Sequence, residues 1–557
     1  MKKTIKIYSI LLIVAICFTG CESQFEDFKN DDERLTSDDV SAKFFFPSTQ
    51  TNLYMPASWN YLFTNIMLGT AYGGYGSFGY KNSWEQPDVV FNITRAWGAA
   101  GNDWDTFSGY FLTIDGFLRQ VKSGGNLENA QMEAVGKIMK ASYFSIYTDL
   151  WGEIPFSEVG QEGVLTPKFD TQEDIYKGMI ALLDEAMTTI GDNTATGEGN
   201  DDLGEFDLMF NGDLQKWKAY ANGLKLRIAL RAKGAPGESF ADAAITEALS
   251  NPLPTETVGI VKDLSVDRSI ADNEGWYTRH AGSRRTLSSI FVNVLQDNND
   301  PRLSAYADPI PGGSVIFGNY ADPANKTMVD YLLANSLDRA GVSYTTAMSG
   351  SNLEIDISPG EHYVGMPMRF VDGMKTHLHK ELFSRQDILT EGFTEIGKEI
   401  NRYIMTLAEI NFMKAEAAVL GFGGNAQASF QAGIQASFDQ WSVSDNGYLA
   451  SPMATLSGSS EDQLNQIGLQ SWLAAYMVGY QGFAIARDFA IPGITDDIPN
   501  LPELFSLSHP LGTKFPQRVK YRQAAYDLNG DNLQDAISRQ GPDDNVTELW
   551  FAKGVKL

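Results

Sequence analysis

Aromatic side chains that could hold a flat, partly apolar ligand are concentrated in one Gly- and Asn-rich stretch of the chain. These rings are Tyr72, Tyr75, Phe78, Tyr80, Trp84, Trp97 and Trp104. A pyranose presents an apolar C–H face to such a ring, while Asn, Asp and Arg side chains hydrogen-bond its hydroxyls. The stretch therefore predicts a sugar-binding platform of Trp97, Trp104, Tyr75 and Trp84, with Asn102 and Arg95 as polar partners. For any single ring, a place in the hydrophobic core is the competing interpretation.

Cys21 is a second residue with specific chemistry. It follows a basic start at Lys2 and Lys3, an apolar run over residues 5–18, and Thr19-Gly20. The run is shorter than the ~20 residues that a membrane-spanning helix needs, and the pattern is typical of an export signal. A Cys in this place resembles a bacterial lipobox, which implies a signal peptide over residues 1–20 and a lipidated Cys21. The alternative is an ordinary secretory signal that happens to contain a Cys.

Cysteine count and charge restrict the other function classes. The second cysteine, Cys17, lies inside the signal, so the mature chain has no partner for an intrachain disulfide. The net charge of −27 becomes −30 once Lys2, Lys3 and Lys6 leave with the signal, which disfavours nucleic acid and anionic lipid as partners. The polar, acidic residues that follow Cys21 predict a tether over residues 21–44. Residues 45–557 are expected to form one globular domain.

Several motifs that would indicate an enzyme or a cofactor do not hold up. Residues 74–79 match G-x-G-x-x-G without a surrounding βαβ unit, and His377 with His379 supplies too few ligands for zinc. Residues 527–531 resemble a calcium loop, but they lack the bend Gly and the bidentate Glu, so a turn is the better interpretation. No carboxylate pair or Ser/His/Asp order stands out. We expect no enzyme activity, no metal site and no cofactor.

Periodic apolar positions predict the helices that would support this stretch. The clearest stripe is Phe107, Tyr110, Phe111, Ile114, Phe117, Leu118 and Val121, and Gly124-Gly125 ends it. Further helices are predicted over residues 128–150, from Thr171 onward, and over 214–233, 401–420, 426–441 and 462–481. Thr171 with Asp174 resembles a capping box. The helices pair off as hairpins, and residues 250–395 and 442–461 between them are expected to be irregular but ordered.

Several sequence blocks, in the right order, resemble the SusD/RagB-like nutrient-binding lipoproteins of the bacterial outer membrane. The blocks are residues 147–158 (YTDLWGEIPFSE), 169–176 (FDTQEDIY), 217–231 (WKAYANGLKLRIALR), 300–303 (DPRL), 408–417 (AEINFMKAEA), 515–521 (FPQRVKY), Leu528-Asn529 and Trp550. The chain departs from the family pattern at residues 482–488 (GFAIARD), where Glu-Ala-Trp is usual before the Arg block. Arg522 and Ala525 replace the usual Pro and Glu. These departures concern fold residues.

The resemblance implies a mostly α-helical fold with tetratricopeptide-like hairpins and a loop-rich lobe that faces the ligand. It also implies a lipid-anchored protein of the outer membrane, facing the cell exterior, that captures an oligosaccharide. Its partner would be a SusC-like TonB-dependent channel, to which it delivers the ligand without covalent chemistry. A peptide ligand for a peptide-importing channel stays open, and so does a secreted glycosidase. Trp276-Tyr277 and Tyr320 are further candidate rings in the long central region.

Overall fold

The computed structural model describes residues 40–54, 72–78, 99–263, 285–360, 362–367, 372–385, 399–476, 478–495 and 514–557. The first helices are α1 (Phe46–Tyr54), α2 (Ala99–Val121), α3 (Ala130–Trp151), α4 (Gln172–Ile190), α5 (Leu214–Ala232), α6 (Ala241–Leu249), α7 (Ser289–Asp297) and α8 (Leu303–Tyr306). They are followed by α9 (Pro323–Leu333), α10 (Leu407–Val419), α11 (Ala426–Gln440), α12 (Ser460–Ala474), α13 (Gly479–Phe489) and α14 (Gln523–Gln540). The strands are β1 (Gly76–Phe78), β2 (Ile154–Pro155), β3 (Phe169–Asp170), β4 (Val258–Asp263), β5 (Arg285–Leu287), β6 (Gly313–Phe317), β7 (Tyr344–Ser349), β8 (Asn352–Ile357) and β9 (Glu399–Met405).

Consecutive helices pack as hairpins, and this confirms the predicted mostly α-helical class. The pairs α2 with α3, α4 with α5, α10 with α11, and α12 with α13 are each in contact along the chain. Helix α5 also contacts α3 and α10, and so joins the hairpins of the two halves. The arrangement is that of tetratricopeptide-like units, in which each hairpin buries its apolar stripe against its neighbours.

The apolar stripes and caps of the first hairpins lie where the sequence predicts them. On α2, the side chains of Phe111, Ile114, Phe117 and Val121 are buried. Helix α4 begins after Thr171, whose hydroxyl accepts a hydrogen bond from the backbone N–H of Asp174. Such a cap satisfies one of the otherwise unpaired N–H groups of the first turn.

Helix α5 carries the stripe that the sequence predicts, with Trp217 and Leu224 at 0% exposure. The Trp217 ring packs against Phe46 and Phe210, at centroid distances of 6.0 and 5.0 Å. Its indole N–H donates to Asp207 Oδ2 at 2.7 Å. Trp217 therefore fills a core position and also satisfies its one polar group.

Trp217→Ala is expected to lower the free energy of unfolding by ~3–5 kcal/mol, because burial is lost and a cavity remains. Chemical denaturation followed by circular dichroism measures this change. Leu528→Ala is the matched control, because this side chain is 75% exposed on α14 and its loss should cost little. A Trp217→Ala variant as stable as the control would show that the stripe does not carry the core.

Two of the predicted helices are shorter than expected. Residues 401–405 of the predicted 401–420 helix belong to β9, which pairs antiparallel with β4, so that Ile260 lies opposite Arg402. Helix α10 begins only after Thr406, whose hydroxyl accepts from the N–H of Glu409. The predicted 462–481 helix ends at Ala474, and α13 is a separate helix that starts at Gly479.

The region 250–395, which is expected to be irregular, contains most of the strands that the structure describes. Strands β6, β8 and β7 form a three-stranded antiparallel sheet in that spatial order. Residues 42–45 and several short turns elsewhere are 3₁₀-helical. In β8 the side chains alternate, with Leu353, Ile355 and Ile357 buried, which is the period of a half-covered sheet.

Residues 527–531 are part of a helix with a local interruption, and they do not form the turn that the sequence predicts. They lie within α14, which is interrupted at Asn529 by a non-helical backbone (φ −147°, ψ 41°). The Asn529 side chain donates to the carbonyl of Pro167 at 2.6 Å, and Asn532 donates to that of Thr166 at 3.0 Å. The polar residues of this segment thus attach α14 to a neighbouring loop.

Three basic residues in the C-terminal half of α5 are buried in ion pairs. Lys225 contacts Asp184 and Glu247, and Arg227 makes a bidentate pair with Glu409 on α10. Asp149 on α3 and Gln481 on α13 hold the Arg231 guanidinium. Buried charges persist only when they are paired in this way, so α5 is fixed to its neighbours by charge as well as by packing.

A buried triad of charged groups joins α10, α13 and the C-terminal segment. Lys556 Nζ lies 2.6 Å from Glu416 Oε1 and 2.9 Å from Asp488 Oδ2. Burial raises the pKa of Glu416 to about 7, with Lys556 opposing the shift and Asp488 adding to it. Burial likewise raises the pKa of Asp488. The fully ionised triad carries one negative charge, and a single proton neutralises it.

The triad is expected to make the stability fall as the pH rises through about 7. Glu416 holds its proton in the folded state, but it releases that proton near the ordinary value of 4.5 when unfolded. In Glu416→Gln this group cannot ionise, so the melting temperature of the variant relative to wild type should rise between about pH 5 and about pH 8. Glu256→Gln, which removes an exposed partner of Lys216, is the control and should show no such trend. A Glu416→Gln difference that stays constant with pH would contradict this account.

Candidate functional site

Tyr75 belongs to the core, so the prediction that it contributes to a surface platform is wrong. Its ring is 1% exposed and stacks on Trp472, with centroids 4.9 Å apart and planes at 12°. Phe291 meets the ring edge-on at 5.2 Å. The Tyr75 hydroxyl donates to the Trp472 carbonyl at 2.7 Å. Burial raises the pKa of this phenol well above its ordinary value, and no ring face is left for a ligand.

The backbone just before Tyr75 is fixed by hydrogen bonds, which hold the start of the segment that follows β1. The indole N–H of Trp472 donates to the Gly73 carbonyl at 2.7 Å, and the Ser288 hydroxyl donates to that of Gly74 at 2.6 Å. Gly74 has φ +86°, a backbone that favours glycine. A Cβ on Gly482 would lie 2.1 Å from the Tyr75 hydroxyl, so only glycine fits there without displacing the ring.

The strand pair β1–β5, called here the β1–β5 frame, lies at the described ends of three chain segments, two of which contain candidate aromatic residues. Phe78, the last residue of β1, pairs with Arg285, the first residue of β5, and Thr286 forms a bridge with Arg385. The segments 79–98, 264–284 and 386–398 therefore each join described backbone at this small sheet. Trp84, Arg95 and Trp97 fall in the first segment and Trp276-Tyr277 in the second, all outside the described residues.

Asn102 and Trp104 lie on the first turns of α2, where the structure describes the backbone only. Position 104 comes seven residues before Phe111, so it falls on the side of the helix that carries the buried stripe. Positions 102 and 104 are two residues apart, and such positions do not share a helix face.

Tyr320 is a half-buried ring that the structure does describe, on the loop between β6 and α9. Its hydroxyl donates to Asp330 Oδ1 at 2.6 Å and accepts from Lys326 Nζ at 3.0 Å. The ammonium of Lys326 lies 5.0 Å from the ring centroid, as in a cation–π contact. Lys326 and Asp330 are not among the residues predicted from the sequence, although their spacing of four on a helix was a usable signal.

The sequence blocks shared with the nutrient-binding family hold the fold together. Arg302 is fully buried, makes two hydrogen bonds to Asp300 and donates to Gln470 at 2.8 Å. Gly482, at a departure from the family pattern, is the residue that makes room for Tyr75. Ala525, at another departure, is buried. These residues bear on packing and not on a ligand.

No metal centre or membrane span is found in the part of the chain that the structure describes. Among those residues, no three His, Cys, Asp or Glu side chains are grouped so that they could hold an ion. His377 is buried, and its ring centroid lies 5.9 Å from that of Phe317. None of the helices described is long and apolar enough to cross a membrane.

Known proteins resemble this chain over most of its length. A SusD homologue from Bacteroides uniformis is 22% identical over 92% of this chain and 99% of its own, with a TM-score of 0.69. A chitin-binding SusD homologue from Flavobacterium johnsoniae is 20% identical over 92% of this chain and 98% of its own, with a TM-score of 0.68. A SusD-like protein from Bacteroides thetaiotaomicron is 19% identical over 92% and 98%, with a TM-score of 0.67. No curated protein matches the sequence.

The family model of SusD-like proteins, described as starch-binding and associating with the outer membrane, matches residues 57–322 and 319–516. These two ranges include the aromatic-rich stretch, the β1–β5 frame and the helical hairpins as far as α13. The family match covers most of the chain, and the solved SusD-like structures have the same fold as this chain. The chain therefore belongs to the SusD-like family.

Proposed function

We propose that this protein is a cell-surface lipoprotein that binds an oligosaccharide and delivers it to a SusC-like TonB-dependent channel. The family match over residues 57–322 and 319–516 carries the proposal, since that family is described as starch-binding and associating with the outer membrane. The chitin-binding homologue from Flavobacterium johnsoniae adds support for a saccharide as the class of ligand. The protein would capture its ligand without covalent chemistry.

The proposed platform consists of Trp84, Trp97 and Trp104, with Arg95 and Asn102 as polar partners. Trp84, Arg95 and Trp97 lie within the segment bounded by β1, which pairs with β5, and α2, which packs on α3. Such a frame suits a site on a loop, because function on loops depends on a rigid scaffold that holds their ends. Tyr75 takes a different part in the proposal, since its burial fixes the start of this segment.

Stacking on indole rings suits this ligand class because a sugar ring offers little else that is apolar. The C–H face loses water when it covers a tryptophan, and the rim hydroxyls keep their hydrogen bonds through Arg and Asn side chains. Aromatic and Arg side chains are also the types that dominate binding energy at interfaces. The proposed set therefore combines an apolar floor with donors and acceptors at its edge.

Delivery requires that the protein stay at the membrane beside its channel. Lipid on Cys21 would supply the anchor. The acidic residues of the predicted tether would supply the reach as far as Ser41 and Ala42, which are buried in the folded domain, so that the tether ends before the predicted residue 44. A single acyl chain gives only marginal, reversible attachment, whereas two or more hold a protein stably. We therefore expect a multiply acylated Cys21 together with contacts to the channel.

Native gel electrophoresis tests the proposed ligand class. Soluble starch is included in the gel, and a chitin oligosaccharide is tested as a free competitor. The wild-type protein should migrate more slowly in the gel that holds its glycan, and free oligosaccharide should reverse the shift. A set of peptides run as competitors tests the peptide alternative, and chromogenic glycosides test for hydrolysis. Displacement by peptides alone, or release of the chromophore, would contradict a glycan-binding protein without enzyme activity.

A further inference from the structure

Strand β7 is an open edge of the β6–β8–β7 sheet. It pairs with β8 on one side only, and the five residues from Thr345 to Ser349 are all exposed. Among the described residues, no backbone group hydrogen-bonds to β7 from the other side. Exposed edges of this kind are normally protected by Lys, Pro, a bulge or a covering loop. The segment YTTAMS contains neither a charged residue nor a proline, and its register with β8 is regular.

The two faces of this edge differ in chemistry. On one face, Thr346 and Met348 lie opposite the buried Ile355 and Leu353 of β8, yet Met348 itself is 56% exposed. Met348 is therefore an apolar side chain that the sheet leaves uncovered on this face of β7. A strand laid beside β7 would direct every second side chain toward this face.

The opposite face presents carboxylates behind small side chains. Ala347 lies opposite Glu354, and Thr345 lies opposite Asp356. Within the described structure Glu354 makes no ion pair, while Asp356 accepts a hydrogen bond from Ser314 at 2.9 Å. A strand added at the β7 edge would run about 10 Å from β8, which is two strand spacings. A lysine on that strand could extend across Ala347 to reach Glu354.

We propose that β7 is the docking edge for an extended segment of another protein, in which Lys or Arg alternates with apolar residues. The apolar side chains would cover Met348 and Thr346, and the cations would pair with Glu354 and Asp356. Main-chain hydrogen bonds along the edge would supply affinity, and the two faces would supply register, as in other cases of strand addition.

A second copy of this chain fits the edge poorly. Residues 344–349 contain no Lys or Arg, so a copy paired through its own β7 would bring no cation opposite Glu354. Its β8 would instead bring further carboxylates to the same face, and each chain carries a net charge of −27. Like charges across strands are destabilising. The charge pattern therefore favours a basic, different partner.

An acetylated peptide in which lysine alternates with valine is a direct probe. We expect it to bind the wild-type protein at low salt and to slow hydrogen exchange of the amides from Thr345 to Ser349. Ala347→Lys should weaken binding by about tenfold or more, because it places a cation where the peptide's own cation must cross. Glu354→Gln should weaken it by about threefold to fivefold.

Asn335→Lys is the matched control, because it adds the same charge at an exposed position outside the β6–β8–β7 sheet. It should bind the peptide as the wild type does. A peptide in which glutamate replaces lysine should not bind. The proposal is overturned if the lysine peptide leaves the β7 amides unprotected, or if Ala347→Lys and Asn335→Lys bind equally well. Self-association of the wild type that Ala347→Lys abolishes would also overturn it, in favour of a second copy.

Discussion

Trp97→Ala combined with Trp104→Ala should abolish retention on the cognate glycan, while the protein still folds. Removing a central aromatic anchor of a binding site costs ~2 kcal/mol or more, which is about thirtyfold in affinity. Two such losses would take a weak carbohydrate complex below detection in a gel. Affinity electrophoresis of the double variant, followed by calorimetry of each single variant, measures the effect.

A loss of binding at position 97 or 104 could come from the ligand site or from the fold, and the single variants distinguish these two causes. Position 104 lies on the buried side of α2, so Trp104→Ala may only be read as a ligand effect if its melting temperature matches the wild type. Position 97 precedes α2 and lies outside the described residues, so the melting temperature of Trp97→Ala is compared with that of the wild type in the same way. Phe45→Ala is the control, because this ring is 51% exposed and lies outside residues 79–104, which carry the proposed platform. Full glycan affinity in both tryptophan variants would contradict the platform.

Cys21→Ser should release the protein from the outer membrane into the soluble fraction. The lipid on Cys21 is the proposed attachment, and a serine cannot be acylated by the same route. Fractionation of cells that lack the channel partner, followed by a high-salt wash of the membranes, measures the distribution. The channel must be absent because contacts to it could retain the variant.

Cys17→Ser is the matched control for this experiment. It changes the other cysteine of the chain, which lies inside the predicted signal, and should leave the protein in the membrane fraction. Salt removes proteins held only by exposed charges, since such interactions are screened within about 10 Å or less. A Cys21→Ser protein that stays bound after the wash would contradict the lipid anchor.

Helices with a continuous apolar stripe could be predicted from the sequence, because burial follows a period that local residues set. The stripes of α2 and α5 and the Thr171 cap of α4 are cases in which local signals and tertiary packing agree. The boundary at Met405 could not be predicted in the same way. Residues 399–405 form a strand because β4, more than a hundred residues earlier, supplies the hydrogen-bonding partner. Such a long-range strand pairing gives no signal in the sequence near residues 399–405.

The burial of Tyr75 could also not be predicted from the sequence. Its hydroxyl partner, Trp472, is 397 residues away, and a ring type alone does not distinguish a core aromatic from a ligand platform. Gly482 makes room for that ring, yet in the sequence it is only a departure from a family pattern. The open β7 edge was equally invisible, because its exposure depends on which strand ends up outermost in the sheet.

Hydrogen–deuterium exchange of the wild-type protein, with and without the oligosaccharide that retards it in gels, tests the central claim most directly. The account predicts that the ligand slows exchange in peptides from residues 79–104 and leaves β7 and the α10–α11 hairpin unchanged. Protection confined to another surface, or no change with any glycan, would contradict a sugar platform built on this segment.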